Sequence, residues 1–340
     1  MIKVLVVEDS TVISTLLSAI INNEEDLEVI GLAKTGEEAI LMVKTLNPDL
    51  ITMDIRMPVM DGIQAIQEIM SRRPKPIIVI SSNINDELQI SFRAIDAGAL
   101  AVLEKPCGIN DTNFSIIQKE IISTIRCMAE VKLVRRRMQT KSKYFPVKNR
   151  SCLHGGIIAI GSSTGGPQVL KQILSNLPSD FAFPIVVTQH ISKGFINGLV
   201  EWLDASSDLT VKVAQQGEKL TPGTVYFAPD HFHCQVKKQG VSFYIELKID
   251  VEVNGFIPSV TRLFQSVVKA NPSCAIGVIL SGMGSDGADG LLAMRQEHYF
   301  TIAQNEESCI VFGMPKAAID LNAVEQVMPV EEISARLLAM

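Results

Sequence analysis

Two groups of residues in this 340-residue chain have the types and spacing to do chemistry. The first is spread over the opening third: Glu8-Asp9, Asp54, Ser81 and Lys105-Pro106, each at the end of a short apolar run. Three carboxylates gathered at one place repel one another unless a cation neutralises them, and an all-oxygen set suits Mg²⁺. Such an ion would also shield a phosphoryl group as the Asp54 carboxylate attacks it to form an acyl phosphate. Lys105 would add a second positive charge to the phosphoryl oxygens, and Ser81 a hydroxyl donor. Taken singly, a carboxylate after a strand is often just a helix cap. The joint arrangement on four strand ends is more specific, and the turn Met57-Pro58-Val59-Met60-Asp61-Gly62 directly after Asp54 strengthens it.

The second group begins at Gly161-Ser162-Ser163-Thr164-Gly165-Gly166, a G-x-S-x-G pattern centred on Ser163 between an apolar run and a helical stretch. A strand-to-helix turn between glycines pushes its middle side chain out and aims the first helical N–H groups at the same spot, where they can hold an oxyanion. A glycine-rich turn of this kind can equally cradle a phosphate or a dinucleotide. A nucleophilic serine needs a base, and His190, in Thr188-Gln189-His190, stands just past the next apolar run. An orienting acid is available at Asp286, the only carboxylate of the glycine-dense loop Ser281–Gly287; its alternative role is a helix N-cap. With Ser163 and His190 on neighbouring strand tips, the Ser-His-Asp reading is preferred. A metal site of His190, His231 and His233 has only its alternate spacing in support.

The elements that must position these groups come from the hydrophobic pattern. Near-continuous apolar runs at Lys3–Val7, Leu27–Ala33, Leu50–Met53, Pro76–Ser81 and Leu100–Glu104 alternate with helical stretches. That predicts a parallel sheet covered on both faces. A second alternating pattern starts at Gly156, with runs at Pro184–Thr188, Val211–Ala214, Thr224–Ala228, Ala275–Leu280 and Thr301–Ala303. The stretch 224–247 reads as a β-hairpin insertion turning at Lys238-Gln239-Gly240. Residues 126–150 carry nine Lys or Arg against one Glu, which predicts an extended last helix grading into a solvated tether. The expected division is therefore 1–125, a basic linker at 126–152, and 153–340.

Bulk properties narrow the function. A net charge of −6 argues against a nucleic-acid binder. Six scattered cysteines with no C-x-x-C pair read as reduced thiols of a cytoplasmic protein. No apolar run is long enough to span or insert into a bilayer, and no signal peptide is recognised at Met1-Ile2-Lys3.

On Glu8, Asp9, Asp54, Met57-Pro58, Asp61-Gly62, Ser81 and Lys105-Pro106, residues 1–125 resemble the receiver domain of response regulators. The resemblance implies a flavodoxin-like fold, phosphorylation of Asp54 by a histidine kinase, and Mg²⁺ held by Glu8, Asp9 and Asp54. Val102 and Leu103 stand where many receivers carry a switch aromatic. The second half is similar to the catalytic domain of chemotaxis protein-glutamate methylesterases. The matches include Gly161–Pro167, Gln189-His190-Ile191, Pro258-Ser259-Val260, Leu280–Ala288 and Thr301–Lys316. That resemblance implies a Rossmann-like methylesterase domain with Ser163 as nucleophile, His190 as base and Asp286 orienting it. It further implies methylated glutamates of chemoreceptor cytoplasmic domains as substrates, deamidation of glutamines there, and relief of receiver inhibition by phosphorylation. Two places depart from the family: Gly255-Phe256-Ile257 replaces basic residues before Pro-Ser-Val, and Asp230–His233 replaces a glycine-rich turn.

Overall fold

The computed structural model describes the chain except residues 83, 84, 107, 109–113, 132–155, 254 and 340, and except the side chains of 85–90. It divides into two compact units, Met1–Arg136 and Arg137–Met340.

The first unit alternates β1 (Ile2–Val7), α1 (Thr11–Asn22), β2 (Leu27–Ala33), α2 (Gly36–Leu46) and β3 (Leu50–Met53). It continues through α3 (Gly62–Arg72), β4 (Ile77–Ser81), α4 (Asn85–Ala97), β5 (Ala101–Glu104) and α5 (Phe114–Ala129). The strands form one parallel sheet in the order β2-β1-β3-β4-β5. The order reverses beside β1, and the crevice beyond the carboxyl ends of β1 and β3 is the switch point where such sheets bind ligands. β3 and β4 are buried at every position, as apolar runs covered on both faces must be. Asp61 is the N-cap of α3, its carboxylate accepting from the Gln64 N–H at 2.8 Å. α5 runs on to Ala129, and Arg126 pairs with Asp26 and Glu24, so the start of the expected basic linker is helix. Most of the rest, at 132–152, lies outside the described residues.

The second unit opens with β6 (Gly156–Ser162), α6 (Gly166–Leu174), β7 (Ile185–Gln189), α7 (Ile196–Asp204), β8 (Thr210–Val213) and β9 (Thr224–Phe227). A hairpin, β10 (His233–Gln239) and β11 (Ser242–Lys248), leads to α8 (Val260–Ala270) and β12 (Cys274–Ile279). The chain closes with α9 (Ala288–Gln296), β13 (Phe300–Gln304), α10 (Met314–Asp320), β14 (Gln326–Met328) and α11 (Val330–Leu338). Seven parallel strands lie in the order β14-β13-β12-β6-β7-β9-β8, and β10 and β11 pair separately and antiparallel. Both units are thus doubly wound α/β, as the alternating pattern predicts. The hairpin is shorter than expected. Thr224–Phe227 belongs to the parallel sheet because it pairs with β7 and β8, and the antiparallel ribbon starts only at His233.

β6 is the switch point of this sheet, with β7 on one side and β12 on the other. A Cβ on Gly161 would lie 2.1 Å from Val260 Cγ1, so only glycine lets the start of α8 close onto β6. The packed interior includes Ile157, Ala159, Val260, Leu263, Phe264, Ile279 and Leu291. Cys274 is disulfide-bonded, which overturns the expectation of uniformly reduced cysteines; Cys127, Cys234 and Cys309 are free. Spacing along the chain says nothing about which residues a sheet edge brings together.

Candidate active site

At the first switch point the sheet presents Glu8 and Asp9 after β1, Asp54 after β3, Ser81 at the end of β4 and Lys105 after β5. One carboxylate oxygen each from Glu8, Asp9 and Asp54 lie within 4.8 Å of one another. Lys105 Nζ is 2.9 Å from Asp54 Oδ2 and 3.0 Å from Glu8 Oε2. Burial pushes the Glu8 carboxyl up to about 7, with repulsion from Asp54 adding to it and Lys105 opposing it. Asp54 is likewise raised, by burial against the pull of Lys105. One ammonium therefore does not balance the three acids. Three carboxylates around a single ammonium make an electron-rich pocket that fits a divalent cation. Ser81 is buried and accepts from the Ser91 hydroxyl at 2.9 Å, which leaves its own O–H for another acceptor.

At the second switch point, register pairs Ser162 with Gln189, so Ser163 and His190 each stand one residue past a matched pair on adjacent strands. Gln189 staples the two tips. Its Oε1 accepts from Ser162 Oγ at 2.6 Å, and its Nε2 donates to the carbonyls of Ser163 and His190 at 2.8 and 2.7 Å. Ser162, fully buried, thus spends its hydroxyl on the staple, and Ser163 carries the hydroxyl not engaged there. The Ser163 N–H donates to Ser281 O at 3.0 Å, tying the turn to the β12 loop. Gly282 permits this closeness, since a Cβ there would sit 2.7 Å from Ser163 Cβ. The 301–316 segment holds that loop in place: Gln304 Oε1 accepts from the Ser281 N–H, and the Gly313 and Met314 N–H groups donate to Gly282 O.

His190 Nε2 is 3.0 Å from Asp286 Oδ2, with the ring 7 % and the carboxylate 0 % exposed. Asp286 is not the cap of its own helix, whose N-cap is Gly287. It is held at the N-terminus of α8, accepting from Val260 N–H (2.7 Å), Thr261 N–H (3.1 Å) and Ser259 Oγ (2.9 Å). Burial raises its pKa, but the His190 ring and these helix-end donors outweigh that and bring it down to about 2. The spatial expectation is met at one joint and left open at the other. Imidazole and carboxylate are bonded, whereas Ser163 Oγ makes no hydrogen bond to the ring, whose Nδ1 is buried without a partner. Long nucleophile–base contacts are common before substrate binds.

Several participants lie in motifs legible from the sequence, but their roles were not. Gln189 and Ser259 are ordinary strand-end and cap residues, and Phe256, whose ring stacks on His190, lies in an irregular segment. The three-histidine metal alternative fails. His233 is fully buried with both nitrogens engaged, and the only metal-ready cluster among the described residues is Glu8, Asp9 and Asp54.

The fold and these two pockets define a two-unit α/β protein of the response-regulator–effector class. Residues 4–115 match the response regulator receiver domain family and 158–337 the CheB methylesterase family. The chain belongs to the receiver-linked protein-glutamate methylesterase family and is a hydrolase. It is 43 % identical to the protein-glutamate methylesterase/protein-glutamine glutaminase 1 of Syntrophus aciditrophicus, covering 100 % of this chain and 98 % of the relative. A counterpart from Methanospirillum hungatei is 44 % identical over 98 % and 97 %. The crystal structure of the Thermotoga maritima CheB methylesterase catalytic domain matches 55 % of this chain and 98 % of its own, at 40 % identity and a TM-score of 0.53. Among the described residues no helix is long and apolar enough to cross a membrane.

Proposed function

We propose that the second unit removes methyl groups from glutamate side chains, and amide groups from glutamines, on the cytoplasmic domain of a chemoreceptor, with Ser163, His190 and Asp286 as its triad. The observation that carries this reading is the buried His190–Asp286 hydrogen bond beside the tip that bears Ser163. With Nε2 committed to Asp286, Nδ1 is the nitrogen left to take the Ser163 proton as Oγ attacks the ester carbonyl. The tetrahedral oxyanion would be held by N–H groups of the two glycine-rich turns. Those of Thr164, Gly165, Met283 and Gly284 donate to no acceptor among the described residues. Collapse passes the proton from His190 to the leaving methoxide, or to the leaving amine for a glutamine. Water, deprotonated by the same ring, then splits the glutamyl-serine ester and restores Ser163. Asp286, ionised well below neutral pH, keeps the ring in one orientation and stabilises the imidazolium.

The first unit is the control. Asp54 accepts the phosphoryl group from a histidine kinase, with Lys105 and Ser81 contacting its oxygens. Glu8, Asp9 and Asp54 would hold Mg²⁺, which shields charge between phosphoryl group and carboxylate. The proposed organisation is a receiver at 1–125, a basic linker at 126–152 and a catalytic domain at 153–340, in a cytoplasmic protein without nucleic-acid partners. The test is methanol release from methyl-labelled receptor membranes, with and without a small phosphodonor. Wild type should release methanol faster with the donor, and Ser163→Ala should release none above background. Activity surviving in Ser163→Ala would end the serine-esterase reading.

A further inference from the structure

The segment 251–259, between the hairpin and α8, is fastened at both ends by a single buried side chain. His233, fully buried at the start of β10, accepts from the Ser259 N–H through Nδ1 (3.2 Å). Nδ1 is therefore unprotonated, and the proton sits on Nε2, which donates to Val251 O at 3.1 Å. Within the segment, Val253 and Phe256 exchange backbone hydrogen bonds of 3.1 and 3.3 Å around Gly255, whose φ of +81° suits glycine. The product of this buckle is one placement. The Phe256 ring lies flat on the His190 imidazole, with centroids 4.0 Å apart and planes 3° from parallel.

Resting on the proposed role of His190 as base, we infer that Phe256 is a positioning residue that holds the imidazole so that Nε2 faces Asp286 and Nδ1 stays available to the nucleophile. The physical need is plain. Among the described residues the ring has one hydrogen bond, to Asp286, and a buried Nδ1 with no partner. A single bond leaves rotation about that contact unopposed, and Asp286, fixed by three donors from the start of α8, cannot follow the ring. A face-to-face aromatic contact supplies the missing constraint without competing for either nitrogen. It also covers one face of the ring from water. This places a role on Phe256 within the 251–259 segment.

The test uses the full chain and four variants. Phe256→Tyr and Phe256→Trp keep a flat face; Phe256→Leu keeps apolar cover without one; Phe256→Ala removes both. Methanol release should show kcat reduced roughly three- to tenfold in the Ala and Leu variants, the worth of one ring contact, with KM nearly unchanged and the Tyr and Trp variants close to wild type. The second readout is ¹⁵N-histidine NMR, practical with five histidines. The slowly exchanging His190 Nε2–H should be seen in wild type, Tyr, Trp and Ser163→Ala protein, and be lost or broadened in the Ala and Leu variants. A rise in KM with kcat intact would overturn the inference and make Phe256 a substrate wall. Leu performing as well as Phe, or an unchanged Nε2–H signal in Phe256→Ala, would overturn it too. Failure of the triad itself registers separately, as activity retained by Ser163→Ala.

Discussion

Ser162 and Ser163 stand side by side at the tip of β6, and their surroundings separate their roles. The Ser162 hydroxyl is enclosed and donates to Gln189, whereas that of Ser163 has no such engagement. A serine-directed fluorophosphonate should therefore label wild type and Ser162→Ala, and fail to label Ser163→Ala, as read by mass spectrometry. Losing the Ser162 hydroxyl leaves Gln189 Oε1 short of a donor and should lower stability by about 1–3 kcal/mol. Asp286 couples residue chemistry to pH. Its carboxyl lies at about 2 in the fold against an ordinary 3.8. A native pKa below the unfolded one means the stabilisation is complete above about pH 4 and disappears as pH falls towards 2. Acid titration of the folded protein should show this loss in that window. Asp286→Asn should lack it, be less stable by about 2 kcal/mol above pH 4, and lose roughly 10³–10⁴ in kcat.

At the scale of elements, the decisive piece is the N-terminus of α8. Its capping residue, Ser259, accepts from Arg262 N–H and donates to Asp286, while the amides of Val260 and Thr261 also face that carboxylate. A helix end that would otherwise leave donors unsatisfied thus uses the proposed triad carboxylate as its anion. Ser259→Ala should lower the thermal midpoint by roughly 2–4 °C, the worth of a lost cap. It should also lower kcat more than it changes KM, because the acid loses one of three fixed contacts. Steady-state kinetics beside a melting curve separate the two effects.

For the whole molecule, the acidic crevice of the first unit predicts a cation requirement. Glu8 and Asp54 are buried and Asp9 is exposed beside them, with Lys105 bridging the buried pair, and burial first and the Asp54 charge second push Glu8 up to about 7. Chelation by EDTA should abolish transfer from a small phosphodonor to Asp54, and restored Mg²⁺ should return it, measured as incorporated label. Asp54→Ala should keep unstimulated methanol release and lose its response to the donor. Release from that variant that still rises with the donor would remove the proposed control.

The order of apolar runs, the glycine turn at 161–166 and the acids at strand ends are local patterns. A parallel sheet projects whatever follows each strand onto one edge, so Glu8, Asp54, Lys105, Ser163 and His190 were legible from the sequence alone. Asp286 was legible as a residue but not in its setting, since the donors that hold it lie 25 to 27 positions upstream. The place of Thr224–Phe227 in the parallel sheet rather than the hairpin, the Gln189 staple, the His233 buckle and the Phe256 stack were decided only by tertiary structure. Each depends on which distant elements a crossover brings together, and hydrogen bonds and ring contacts between such elements leave no periodicity in the chain.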